Sequence, residues 1–214
     1  MSTFLFVPNL IGYVRIILGI AAFAYAFDDY KVTVLAYSAS QLLDALDGYA
    51  ARALNQSSMF GAVLDMVTDR ASGNILLMVL AVLHGRDKFL IFASLAALDY
   101  SSHWFCMYAS VYTGASSHKT MTSSKPWLLR FYYTNKVFMF LCCVSQEVTS
   151  LSLYVIASVP IDSLAQSDIL CASFAQGALL ASGPLTLTKQ IINVIQLVDA
   201  AQMIVNKEKS LKKK

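Results

Sequence analysis

The hydrophobic positions of this chain fall into long, nearly continuous runs. A helix needs roughly 20 consecutive apolar residues to cross the ~30 Å hydrocarbon core of a bilayer. Six runs reach that length, and they predict transmembrane helices near residues 10–28, 32–53, 59–84, 88–113, 130–159 and 175–205. We therefore expect an all-α integral membrane protein with six spans.

Short polar connections separate these runs, with two exceptions. Residues 114–129 are rich in Ser and Thr, and residues 160–174 form a second long connection. Neither an internal repeat nor a second domain is evident. Residues 1–214 are therefore predicted to form one membrane domain that ends in a basic tail over residues 206–214.

The composition supports this interpretation. Apolar residues make up 57% of the chain and charged residues 14%, whereas soluble domains average about 45–50% apolar and about 25% charged residues. A disordered chain, a coiled coil and an ordinary soluble enzyme are excluded. The four cysteines lie in apolar surroundings without CxxC spacing, which predicts reduced packing residues rather than a zinc site or disulfides. They are Cys106, Cys142, Cys143 and Cys171.

The basic residues predict the orientation, because Lys and Arg concentrate in cytoplasmic loops. Six spans place both termini on one side, and that side carries twelve of the 16 basic residues. These are Arg15, Arg52, Arg70, Lys119, Lys125, Arg130, Lys136, Lys207, Lys209, Lys212, Lys213 and Lys214. The opposite side carries only Lys31, Arg86 and Lys88, so both termini are expected to be cytoplasmic.

Four aspartates lie where a membrane span meets the cytoplasmic side. Asp44 and Asp47 are near the end of the second predicted span, and Asp65 and Asp69 are near the start of the third. Spacings of three and four place each pair on one helix face, and a helical hairpin brings the pairs together. Converging carboxylates repel unless a cation neutralises them, and hard oxygen ligands suit Mg²⁺ or Mn²⁺.

An ordinary alternative is that each aspartate caps a helix or pairs with Arg52 or Arg70. The small residues nearby also have two interpretations. Gly48 and Gly61 leave the backbone bare beside the acids, which suits either a ligand site or close helix packing. Arg52 can clamp a phosphate in a bidentate manner or extend its side chain to the membrane interface.

Residues 44–69 also carry a family resemblance. They read Asp-x-x-Asp-Gly-x-x-Ala-Arg, eight residues, Gly, three residues, Asp, three residues and Asp. This string is similar to the signature of the CDP-alcohol phosphatidyltransferase family, DxxDGxxARx8GxxxDxxxD, at every fixed position. The six-span layout extends the resemblance over the whole chain, and it implies six transmembrane helices around a polar active-site cavity that faces the cytosol.

The resemblance implies a reaction in which a CDP-linked lipid donates its phosphoryl group to an alcohol and CMP leaves. It assigns a pair of divalent metal ions to Asp44, Asp47, Asp65 and Asp69, with Asp69 also acting as general base. We expect direct in-line attack, because no suitable nucleophile is evident beside the motif. A covalent route through an aspartate stays open.

The same resemblance assigns contacts with the CDP-lipid donor. Gly48 and Arg52 follow the second aspartate and are expected to bind the nucleotide diphosphate. Ser58 lies where relatives use a small hydroxyl residue for the same donor.

Softer matches indicate the acceptor alcohol. The chain is short, and its opening at residues 6–15 and its segments 99–104, 117–119 and 129–133 are similar to eukaryotic members of the family that use inositol. The resemblance thus implies CDP-diacylglycerol and myo-inositol as substrates, phosphatidylinositol and CMP as products, and the endoplasmic reticulum membrane as the location. It also allows a homodimer. Glycerol 3-phosphate is the alternative acceptor.

Five polar residues are candidates for the acceptor pocket. Asp99 and His103 share one face of the fourth span, Lys119 and Arg130 flank the cytoplasmic loop, and Lys189 lies in the sixth span. Each has an ordinary alternative. His103 can serve as an interhelix hydrogen-bonding group, and the positive-inside bias alone explains the two loop cations.

Two other functional classes fit a polytopic membrane protein. A transporter would carry its acids near the bilayer midplane and have broken helices, whereas here the acids lie by the cytoplasmic ends and only Gly183-Pro184 interrupts a span. A non-catalytic lipid-binding subunit would not need an intact set of four motif acids. Both classes remain alternatives to the enzyme.

Overall fold

The computed structural model of the chain describes residues 2–114, 125–159 and 165–212, and these residues form helices without a strand among them. The all-α prediction is confirmed for this part of the chain. A short 3₁₀ turn at Thr3–Leu5 precedes the first α-helix. The α-helices are α1 (Val7–Ala24), α2 (Tyr30–Ala53), α3 (Met59–Leu83), α4 (Arg86–Thr113), α5 (Trp127–Thr134), α6 (Lys136–Ser158) and α7 (Gln166–Leu211).

The region predicted as one span near residues 130–159 is two helices, α5 and α6. The break lies at Asn135, whose backbone leaves helical geometry at φ −92° and ψ 95°. Its side-chain oxygen accepts a hydrogen bond from the backbone N–H of Phe138 at 3.0 Å. Asn is a preferred N-cap because its short side chain satisfies a free N–H of the first turn, so α6 starts anew at this residue.

The connection predicted over residues 160–174 is too long, since α7 already begins at Gln166. Asp168 lies in the first turn, where the partial positive charge of a helix N-terminus favours a carboxylate. It accepts a hydrogen bond from the Tyr30 hydroxyl at 2.7 Å and forms an ion pair with Lys31 at 2.9 Å. These contacts fix the start of α7 against the start of α2.

Helix α3 occupies the middle of the bundle. It contacts α1, α4 and α6, while α1 packs on α2, and α7 packs on both α4 and α6. A residue on α3 can therefore face partners from several helices at once. This placement puts Asp65 and Asp69 within reach of α1.

The distribution of polarity is that of a protein in lipid. Four helices are long and apolar enough to cross a membrane, namely α1, α3, α6 and α7. Large apolar side chains such as Met59, Phe174 and Leu180 are at least 80% exposed, whereas Arg15 and Asn193 are buried. Helices α2 and α4 are similarly long but do not meet the same criterion of hydropathy and charge, so six spans stay a prediction. All four cysteines are free thiols, as expected.

Candidate active site

The hairpin formed by the end of α2 and the start of α3 brings the motif acids together. One carboxylate oxygen each from Asp44, Asp47 and Asp65 lies within 4.8 Å of the others. Asp69 follows Asp65 by one turn of α3 and faces the same cluster. The convergence arises because each helix presents acids three or four residues apart on one face.

A residue of α1 completes this acid cluster. The side chain of Arg15 is fully buried, and its guanidinium lies 2.7 Å from an oxygen of Asp44, 2.8 Å from Asp47 and 2.9 Å from Asp65. It also forms an ion pair with Asp69. Sequence reasoning counted Arg15 only as a cation on the cytoplasmic side. A sequence signal for its role was available, because an arginine inside an apolar run is costly and is expected to pair with an acid inside the membrane.

The alternative in which each aspartate caps a helix or pairs with Arg52 is not observed. The side-chain N-caps in the described part of the chain are Asp29, Ser58 and Asn135, and the shared cation is Arg15. Arg70 approaches Asp69 only at 3.9 Å.

Charge counting tests whether these residues fit a metal. Four carboxylates with formal charge −4 and one guanidinium of +1 leave a formal charge of −3 in the cluster. One arginine therefore does not neutralise the four acids, although its guanidinium pairs with each of them. An excess of hard oxygen donors suits Mg²⁺ or Mn²⁺. The donor set therefore fits the expected divalent cation.

Beside the acid cluster lies a cavity of about 160 Å³, here called the hairpin pocket. It is enclosed by the start of α1, the end of α2, and the loop and first turns of α3. Among its lining residues are Asn9, Asp47, Gly48, Ser58 and Asp65. Two of the three residues predicted to contact the donor, Gly48 and Ser58, thus line one pocket together with motif acids.

Gly61 is required by a close approach between helices. A Cβ at this position would lie 2.7 Å from the side-chain oxygen of Asn9 and 3.1 Å from the hydroxyl of Ser58. The same hydroxyl accepts a hydrogen bond from the Gly61 N–H at 3.0 Å and so caps α3. A larger residue at 61 would push apart the walls of the hairpin pocket.

Arg52 lies in the last turn of α2 and is exposed. Its guanidinium passes close to Gly48, because a Cβ there would be 3.5 Å from its Nη1. It does not line the hairpin pocket but stands at the edge, where it can reach an anion. Sequence reasoning missed Gln56, whose side-chain oxygen accepts a hydrogen bond from the Val7 N–H at 2.8 Å and ties the hairpin loop to α1.

A second polar region lies on the other side of Asp69, between α3, α4, α6 and α7. Arg70 forms two hydrogen bonds with the carboxylate of Asp99, at 2.8 and 3.1 Å, and Asn74 adds a third at 3.3 Å. Next to them is a cavity of about 50 Å³, here called the interior cavity. Its polar lining residues are Asp99, Gln146, Glu147, Thr149, Ser150, Thr186 and Gln190.

The structure brings some of the predicted acceptor residues together near the interior cavity and leaves others away from it. The His103 ring nitrogen Nδ1 lies 2.8 Å from the backbone oxygen of Asp99, so these two residues meet. Lys189 is buried and donates to the Asn193 side chain at 2.7 Å, outside the interior cavity lining. Arg130 is exposed on α5 and does not line this cavity either. Lys119 lies outside the described residues.

Sequence reasoning missed Glu147, Gln146 and Gln190 in this region. For Glu147 a signal was available, because an acid in the middle of an apolar run is as costly as Asp99 in its own span. The two glutamines gave no comparable signal, since uncharged amides occur at many helix positions.

Comparison with known proteins identifies a matching family model and several similar proteins. Residues 5–202 match the family model described as CDP-alcohol phosphatidyltransferase. The chain is 43% identical to "CDP-diacylglycerol--inositol 3-phosphatidyltransferase 1" of Arabidopsis thaliana, over 96% of this chain and 91% of that protein. It is 39% identical to "CDP-diacylglycerol--inositol 3-phosphatidyltransferase" of Schizosaccharomyces pombe (95% and 90% coverage) and of Homo sapiens (94% and 92%). No solved structure gives a significant match.

Proposed function

The chain belongs to the CDP-alcohol phosphatidyltransferase family, and from this premise we propose that it transfers the phosphatidyl group of CDP-diacylglycerol to myo-inositol, yielding phosphatidylinositol and CMP. The observation that carries the proposal is similarity over nearly the whole chain to relatives named for this transfer. The meeting of all four motif acids around one centre supports it. The protein is a membrane transferase.

The hairpin pocket is the proposed donor site. Gly48 and Ser58 line it, and Arg52 at its edge would contact the diphosphate of the CDP-lipid. Asp44, Asp47, Asp65 and Asp69 would hold two divalent cations, Mg²⁺ or Mn²⁺. When bound, such a pair screens the diphosphate charge and stabilises the attacking and leaving oxygens.

The reaction at this site is a single displacement. A hydroxyl of the acceptor attacks the phosphorus that bears diacylglycerol, the bond from that phosphorus to the CMP oxygen breaks, and Asp69 takes the hydroxyl proton. A positioned base of this kind contributes about 10²–10⁴-fold. The hydroxyls of Ser57 and Ser58 are bonded to backbone groups, so neither is paired with a base that would make it a nucleophile.

The interior cavity is the proposed acceptor site. Asp99 lines it, His103 is bonded to the backbone of Asp99, and Lys189 is buried on neighbouring α7. Gly73 in its wall follows Asp69 by one turn of α3, so the cavity begins next to the proposed base. Contacts of Arg130 and Lys119 with the acceptor remain predictions.

The finer topology is also part of the proposal. Helices α1, α2, α3, α4, α6 and α7 would form the six spans, with both termini and the active-site cavity on the cytoplasmic side. The bias of basic residues toward the side of the termini supports this orientation. The endoplasmic reticulum membrane is the proposed location, the donor lipid enters laterally from the bilayer, and a homodimer is the proposed assembly.

The test is release of CMP by the purified protein from CDP-diacylglycerol with Mg²⁺ or Mn²⁺ and a panel of alcohols. The panel contains myo-inositol, glycerol 3-phosphate, serine and inositol 1-phosphate. We expect release that depends on myo-inositol and is lost with a chelator. Release driven by another alcohol would overturn the acceptor, and no release with any alcohol would favour a transporter or a lipid-binding subunit.

A further inference from the structure

The chain contains only two glutamates, and they lie in opposite environments. Glu208 is exposed near the end of α7. Glu147 lies in the middle of the apolar helix α6 and lines the interior cavity. A carboxylate inside a membrane helix is costly and is retained mainly where it has a function. The position of Glu147 therefore calls for a specific role.

The partner of Glu147 is a neutral group. Its Oε2 accepts a hydrogen bond from the Tyr37 hydroxyl at 2.6 Å. None of the ion pairs found in the described part of the chain involves Glu147. Asp99, on the facing wall, is by contrast held by Arg70 at 2.8 Å. The cavity thus contains one carboxylate that forms an ion pair and, within the described residues, one that does not.

The cavity is open toward α3 beside the proposed base. Gly73 lies four residues after Asp69, and residues four apart share a helix face. A Cβ at Gly73 would meet no atom within 4 Å, so the wall leaves free space there. The Glu147 carboxylate lies within electrostatic reach of Arg70, Asp69 and Asp99. A molecule in this space would lie against Glu147 and near Asp69 together.

The remaining lining suits alcohol groups. Gln190 donates to the side-chain oxygen of Gln146 through a long bond of 3.4 Å, so both amides have capacity for a ligand. Carboxylate and amide oxygens accept hydrogen bonds, and amide NH₂ groups donate them. Phe92 and Leu95 add apolar wall. Hydroxyl groups around a carbon ring need this mixture of acceptors, donors and apolar surface.

The charges oppose an anion at the same place. Asp99 is bonded to Arg70, and Asp69 is paired with Arg15 and assigned to the proposed metal site, whereas Glu147 forms no ion pair within the described residues. The formal negative charge that faces an incoming anion is therefore that of Glu147. A phosphate monoester would bring nearly two further negative charges into a site of low dielectric, where repulsion is strong. Specificity can be built from such repulsion as well as from attraction.

We propose that Glu147 determines the class of acceptor, by accepting hydrogen bonds from the hydroxyls of a neutral polyol and by repelling alcohols that carry phosphate. The inference rests on the proposed function, because it assigns selectivity to the acceptor side of that reaction.

The test compares Glu147→Gln with Glu208→Gln, the same substitution at the other glutamate. For each protein, KM for myo-inositol and for CDP-diacylglycerol is measured by CMP release, with inhibition by inositol 1-phosphate and glycerol 3-phosphate. In Glu147→Gln we expect KM for inositol to rise at least about fivefold with KM for the donor unchanged. The preference for inositol over the phosphorylated alcohols should narrow by about tenfold, since roughly one repulsive charge is removed. Glu208→Gln should match the wild type.

The variant Tyr37→Phe distinguishes the effect of the Glu147 charge from that of the hydrogen bond between Tyr37 and Glu147. It keeps the Glu147 carboxylate, so the preference against phosphorylated alcohols should persist. Should Glu147→Gln not fold, Glu147→Asp keeps the charge on a shorter stem and should raise KM for inositol while still excluding phosphate. Unchanged KM for inositol and unchanged selectivity in whichever Glu147 variant folds would overturn the inference. A fall in kcat alone would do the same. Wild-type protein that releases no CMP with inositol would instead refute the proposed function.

Discussion

The two polar regions of this bundle are built in different ways. The acid cluster beside the hairpin pocket takes all four carboxylates from residues 44–69, and only Arg15 comes from elsewhere. The interior cavity collects polar side chains from the three helices α4, α6 and α7, between residues 99 and 190. In the first region local spacing produces the site, and in the second only the packing of distant helices does. The proposed family chemistry and the proposed acceptor selectivity would thus have separate structural origins.

The largest effect is expected where the two regions meet. Asp69 is bonded to Arg15 in the acid cluster and lies one turn from Gly73 in the cavity wall. Asp69→Asn should lower turnover by at least about 10²–10⁴-fold, because it removes the proposed base. CMP release measures this, with Asp87→Asn at the exposed start of α4 as control. Near-normal turnover in the Asn variant would remove Asp69 from its assigned role.

The next largest effect is expected on the stability of the folded protein when the acid cluster loses Arg15. Arg15→Gln leaves four converging carboxylates without their shared cation, and breaking a buried ion pair costs about 3–5 kcal/mol. In detergent with a chelator, the thermal unfolding midpoint of the variant should fall well below that of the wild type. Adding Mn²⁺ should raise the midpoint of the variant by more than it raises that of the wild type. Arg86→Gln, at an exposed arginine, is the matched control. Equal midpoints with chelator would show that Arg15 does not hold the acids together.

A smaller effect is expected from a change in the hairpin pocket, which should alter KM for the donor but not for the acceptor. Gly61→Ala would place a Cβ 2.7 Å from the Asn9 side-chain oxygen. Overpacking of this kind costs about 1–3 kcal/mol, and here it deforms the wall of the hairpin pocket. KM for CDP-diacylglycerol should rise about tenfold, while KM for inositol stays the same. A change in both constants would mean that the two regions are not separate.

The smallest effect is the counterpart on the acceptor side. Gly73→Ala adds a methyl group to open space, so it should cost no stability and only narrow the interior cavity. KM for inositol should rise about threefold, less than a clash in a filled core would give. Gly177→Ala, at an exposed position on α7 with equally free space, is the control. An effect on the donor KM instead would place the acceptor elsewhere.

The sequence predicted the helical class and the convergence of the acids because both follow from periodicity within one or two helices. The break at Asn135 was missed because a single capping residue interrupts an otherwise apolar run. The early start of α7 was missed because it depends on the contacts of Asp168 with the distant Tyr30 and Lys31.

The partner of the acids was missed for a related reason. Arg15 precedes Asp44 by 29 residues, and nothing in its local pattern shows which neighbour it will meet. Of the five residues predicted for the acceptor pocket, Asp99 lines the interior cavity and His103 is bonded to its backbone, while their role with the acceptor stays a prediction. Glu147 stood out in the sequence as an acid in an apolar run, but its neighbours became visible only with α6 packed against α3 and Tyr37.

Two ion pairs lie along helix α7 at a spacing close to the thickness of a bilayer. Asp168 near its start is paired with Lys31, and Asp199 is paired with Lys125 at 3.2 Å. The 31 residue steps from Asp168 to Asp199 span roughly 46 Å at 1.5 Å per residue, close to the ~40–45 Å of a bilayer with its headgroups. Ion pairs are cheapest in those two headgroup layers. With α7 as a proposed span, a markedly thicker bilayer would draw one pair into hydrocarbon, so we expect the protein to prefer membranes of ordinary or smaller thickness.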